Sequence, residues 1–96
     1  DLALPALELL SAAHAAAASG QVGAGLPAAA ELSTLLGDVM RRNLNSRERG
    51  VRVSTMTSAL RIARVSPALI PAGVAQRAAG DADGYVRDMA ARLQRR

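Results

Sequence analysis

The sequence predicts an all-α fold, a small bundle of four to five short helices, on three observations. It holds twenty-two alanines in 96 residues, and alanine is the strongest helix former. Tyr85 is its only aromatic residue, so the core has to come from Leu, Val, Ile, Met and Ala, a composition that suits close helix–helix approach. Two stretches repeat apolar residues at i, i+3, i+4 and i+7, the spacing of one helix face: Leu32, Leu35, Leu36 and Val39 in the first, Val86, Met89, Ala90 and Leu93 in the second. A chain of this length reads as one domain with a single modest core. It opens on Asp1 without a methionine, which suggests a processed product or a piece of a longer protein.

In chain order, Leu4 to Ala18 reads as the first helix, with Pro5 tolerated in its first turn and Gly20 as its C-terminal cap. Glu8, Ser11 and His14 are spaced three apart and predict a solvated polar edge. Gln21 to Gly25, with Gly20, Gly23 and Gly25 close together, reads as a connection into Pro27. The organising helix is then expected over Leu26 to Leu44, with Pro27 at its first position. Ala28, Ala29 and Met40 widen its apolar stripe, Thr34, Asp38 and Arg41 lie opposite, and Asp38 pairs with Arg42 at i, i+4.

Asn43 to Gly50 gathers turn-formers and charge, which predicts an exposed loop in which Ser46 caps a short turn at most. Val51 and Val53 flank Arg52 in a brief extended alternation. Ser54 is expected to cap a third helix through Val65, with Met56, Leu60 and Ala63 on its inner face and Arg61 and Arg64 elsewhere. Ser66-Pro67 stops it. Leu69 to Ala79 reads as a fourth helix starting properly at Pro71 and burying Val74, Ala75 and Ala78, and Gly80 ends it. Asp81 is expected to cap the last helix, where Asp88 pairs with Arg92 and Arg92, Arg95 and Arg96 suit the negative end of the dipole. The expected core is Leu32, Leu35, Leu36, Val39, Leu60, Val86, Met89 and Leu93.

All twelve basic residues are arginine, a bias that fits a GC-rich coding sequence before it fits any chemistry. Their distribution says more. Residues 1–40 carry four acids and no base, residues 41–80 carry eight arginines against Glu48 alone, and residues 81–96 hold four arginines and three aspartates. The positive field therefore belongs to the middle of the chain.

Chemistry is poorly provided for. Without cysteine there is no disulfide or thiolate site, and a single histidine leaves most transition-metal sites without ligands. Glu8, Ser11 and His14 on one short helix point the same way and do not converge on a substrate. Asp81 and Asp83 lack the further oxygens of a calcium loop. The glycines at 20, 23 and 25 follow a helix where a phosphate-cradling loop follows a strand. No enzymatic activity and no cofactor are expected. Leu4 to Ala18 is too short and too polar at its start to span a bilayer and lacks the cationic flank of a signal peptide, and the arginines do not line one face beside large apolar anchors as a membrane-surface helix requires.

Two interaction readings remain. The first is a helical module that meets another protein or a second copy of itself, with Arg41, Arg42, Arg47, Arg49, Arg52, Arg61 and Arg64 as candidate interaction residues. In it Arg41, Arg42, Arg47, Arg49 and Arg52 are expected to meet the acidic first forty residues, within one chain or across a dimer. The alternative is nucleic-acid binding by a helix-turn-helix formed by Pro71 to Arg96, with the basic middle on phosphates. Asp81, Asp83 and Asp88 in the first half of its recognition helix weigh against it.

Overall fold

A computed structural model describes residues 3–18 and 28–95. Every element among those residues is a helix, in the order α1 (Ala3–Ala18), α2 (Ala29–Leu44), α3 (Arg49–Val65), a 3₁₀ turn (Pro67–Leu69), α4 (Ala72–Ala79) and α5 (Gly84–Gln94). Helix α3 packs against both α1 and α5, while α2 lies across α3, α4 and the 3₁₀ turn. The short α4 packs on α5. Gly20 and Pro27, the expected cap and first helical residue, lie outside the described residues.

Helix α2 holds the centre, although its buried line differs from the expected one. Leu32, Leu36, Met40 and Leu44 are essentially out of water, Val39 is half-buried and Leu35 is 44% exposed. The reason is angular. Residues four apart advance slowly around a helix, so the four buried residues form one stripe, and Leu35 stands about 100° from Leu36 on the side away from Met40. Buried Gly37 lets Pro71 approach the α2 backbone.

Helix α3 begins five residues before the expected cap. Ser46 Oγ accepts from the Glu48 amide at 3.1 Å, and the Glu48 carbonyl accepts from Val51 and Arg52 at 3.2 and 3.3 Å, which closes the first turn. Val51 and Val53 are therefore helical, and Ser54 is an exposed mid-helix residue. Their β-branched side chains favour strands weakly, and burial of Thr55, Met56, Ala59, Ile62 and Ala63 along one face overrides that preference. The Thr55 and Thr57 hydroxyls bond back to the carbonyls of Val51 and Val53. Leu60 packs against the edge of the core.

The stop of α3 and the end of α4 agree with the sequence reading, whereas Leu69 belongs to the 3₁₀ turn and α4 itself starts at Ala72. Pro67 follows the end of α3, Pro71 precedes α4, and Val74, Ala75 and Ala78 are buried. The cap of α5 is Asp83, not Asp81: Asp83 Oδ1 accepts from the amides of Tyr85 at 2.8 Å and Val86 at 3.2 Å. Val86, Met89 and Leu93 complete the core.

Helix α1 overturns the expected polar edge. Leu4 and Leu7 are buried and Ser11, on the same face, is only 2% exposed, its hydroxyl donating to the Leu7 carbonyl at 2.8 Å. Burying two large leucines carries the serine inward with them, and the backbone bond satisfies it.

Candidate interaction surfaces

The candidate arginines have different partners. Two of them tie the start of α3 to the α4–α5 turn. Arg52 Nε donates to Asp81 Oδ2 at 2.9 Å and its Nη1 to the Ser46 carbonyl at 2.9 Å. Arg49 pairs with Asp83 and lies over the Tyr85 ring, 5.7 Å from its centroid. Asp81 Oδ1 in turn accepts from the Asp83 amide at 2.8 Å, and Arg87 closes the turn by donating to the carbonyls of Asp81 and Ala82 at 2.7 and 2.9 Å. The two aspartates that resembled a cap and a metal pair act as the acidic side of an inter-helix clamp.

Hydrogen bonding by Arg49 holds the Asp83 carboxyl below the usual aspartate value. Partial loss of water opposes that shift, and the amides of Val86 and Tyr85 reinforce it.

The expected pairing with the first forty residues is thus replaced for Arg49 and Arg52 by pairing with Asp81 and Asp83. Geometry explains the difference, because α3 starts beside the α4–α5 turn. Among the described residues, the acidic first half contributes two pairs: Arg41 with Asp38 at 3.2 Å, where the i, i+4 spacing predicts Arg42, and Arg61 with Glu8 at 3.4 Å. Arg92 pairs with Asp88 at 3.1 Å as expected. Among the described residues, Arg42, Arg47 and Arg64 have no acidic partner.

A groove of about 340 Å³ runs between the 45–48 loop and the 80–82 turn, lined by Arg47, Arg52 and Arg77 among others. Arg77 is held by a neutral group: its Nε and Nη2 both donate to Asn45 Oδ1, at 3.1 and 2.8 Å. Nothing in the sequence points to this contact, since partners thirty-two positions apart show no periodic signal.

The other surface is the outward side of α1. Leu9 is 73% exposed, and Pro5, Ala6 and Ala12 are exposed with it. The helix's two ionisable residues, Glu8 and His14, are half-buried on its inner half. The signal was present in the sequence as a helix side without a polar residue.

Among the described residues, no group of three or more His, Cys, Asp or Glu side chains is placed to hold a metal ion, and no helix is long and apolar enough to cross a membrane. No protein-family model, curated protein or solved structure matches the chain, which leaves geometry as the source of a functional reading.

Proposed function

We propose that this domain is a non-enzymatic helical interaction module, and that α1 carries the contact, with a second copy of the chain as its partner. The observation behind this is the inverted polarity of α1: Ser11 and Glu8 turn toward the body of the domain, and Leu9 with its alanines turns away from it. A surface helix ordinarily presents its polar side to water. An apolar side built from alanine and one leucine suits a second helix of the same kind, because small residues allow axes to approach to about 8 Å, the short end of helix packing. The uncharged face also spares two positively charged domains a direct meeting of like charges.

Sedimentation of the pure domain over a range of concentration and salt tests the reading. Reversible association is expected, insensitive to salt or strengthened by it, as apolar contact is. Leu9→Asp is expected to abolish association while leaving the thermal unfolding of the dilute domain almost unchanged, because Leu9 makes little contact within the chain. A wild-type domain that stays monomeric at every concentration overturns self-association. Association that Leu9→Asp does not alter removes α1 from the contact.

Nucleic-acid binding through α4 and α5 has less support. Arg87 is committed to the carbonyls of its own turn and Arg92 to Asp88, which leaves the would-be recognition helix few arginines to offer base edges or phosphates.

A further inference from the structure

We infer that the groove between the 45–48 loop and the 80–82 turn is a binding site for a single phosphate group carried by a small molecule. Three arginines are among the residues that line it, Arg47 from the loop, Arg52 from α3 and Arg77 from α4, against the one acidic residue Asp81. Asp81 is already matched by Arg52, which leaves Arg47 and Arg77 without an acidic partner among the described residues. Arg77 carries the argument furthest. Its partner Asn45 fixes the plane of the guanidinium through two N–H groups and, being neutral, leaves the charge intact.

Among the described residues, Arg77 Nη1, Arg52 Nη2 and the whole Arg47 fork remain as unused donors. Planar arginine forks match the oxygens of a tetrahedral dianion, and charge-assisted bonds of this kind are the strong ones. A volume of about 340 Å³ accommodates one phosphate and a small attached group. The three arginines line one groove, a footprint of the size of a single phosphate rather than of a run of backbone phosphates.

Titration of the ¹⁵N-labelled domain with inorganic phosphate, at constant ionic strength set by chloride, is the test. Saturable shifts are expected at the amides of Asn45, Ser46, Gly80 and Ala82, with a nucleoside monophosphate giving the same pattern. Arg47→Ala and Arg77→Ala are each expected to weaken binding about tenfold, the scale of one lost hydrogen bond to a charged group. Both residues are exposed, so the fold tolerates their loss. Arg64→Ala, on α3 about 18 Å along the helix from Arg52, is expected to change nothing. Shifts that stay linear in phosphate, or an Arg77→Ala variant that binds as tightly as the wild type, overturn the site. A short DNA duplex binding far more tightly than phosphate, with a salt slope several multiples of about 0.9, overturns the single-phosphate assignment in favour of a nucleic-acid surface.

Discussion

Arg52 on α3 and Asp81 in the α4–α5 turn meet at 2.9 Å with only 16% and 5% of their side-chain surfaces left in water. A pair this far from solvent is judged by what happens when one partner goes. Asp81→Ala leaves the Arg52 guanidinium without its counter-charge and removes the acceptor for the Asp83 amide, and removing one member of a buried pair costs about 3–5 kcal/mol. Urea unfolding is expected to show a loss on that scale. The double variant Arg52→Met/Asp81→Leu is expected to recover much of it, since apolar replacement of a buried pair is often close to neutral. A small loss in Asp81→Ala would mean that Arg52 stays solvated in the fold.

The neighbouring pair gives a pH dependence with a definite sign. Asp83 titrates below its ordinary value of 3.8 in the folded protein, chiefly through the hydrogen bond from Arg49. A depressed carboxyl contributes stability that is fully present above its unfolded pKa and disappears as pH falls through the folded one. Asp83→Asn keeps a capping oxygen but loses the charge. It is expected to be less stable than the wild type at neutral pH, with the gap narrowing below about pH 4. Chemical denaturation across the acid range checks this, and a gap that stays constant would mean that the charge of Asp83 adds nothing to folding.

Ser54 separates the sequence reading of α3 from its structure. As an N-cap, its replacement by alanine would cost about 1 kcal/mol. As an exposed residue inside the helix, its replacement should be neutral or stabilising by a few tenths of a kcal/mol, roughly the propensity difference. The thermal midpoint of Ser54→Ala decides between the two positions of the helix start.

The contrast at Ser54 shows what local pattern could and could not reveal. Helix stops at Pro67 and Gly80 and the stripe of Val86, Met89 and Leu93 were legible because proline, glycine and apolar spacing act within one turn. The start of α3 was not, because Val51 and Val53 are helical only through the burial of residues further along, and that burial depends on α1 and α5. The same holds for the site. Arginine-rich character was visible, but the partners of Arg49, Arg52 and Arg77 lie about thirty positions away. Helix α1 misled for another reason: its polar residues looked outward by chemistry, while Leu4 and Leu7 set which way the helix faces.

Leu36 and Leu35 are neighbours in sequence with opposite surroundings, fully buried and 44% exposed. Leu36→Ala is expected to cost about 2–5 kcal/mol, the range for a core leucine that leaves a cavity. Leu35→Ala is expected to cost well under half as much, because much of its side chain is already in water. Equal losses in urea unfolding would place Leu35 in the core after all, as the i, i+3 spacing had suggested.

Gly37 sets two effects of opposite sign against each other. Alanine inside a helix gains about 1 kcal/mol over glycine in propensity, yet a Cβ at this position would lie 2.9 Å from Arg41 Nη1 and 3.0 Å from Pro71 Cγ. The arginine end can swing aside, since its pair with Asp38 is exposed and such pairs contribute little. The proline ring cannot, because it leads into α4 with its backbone fixed. Overpacking against a rigid group typically costs about 1–3 kcal/mol, so Gly37→Ala is expected to lower the thermal midpoint despite its better helix propensity. Removing the ring should reverse the sign: in a Pro71→Ala background, Gly37→Ala is expected to stabilise. A Gly37→Ala variant that is more stable than the wild type with Pro71 intact would show that α2 and the start of α4 are free to move apart.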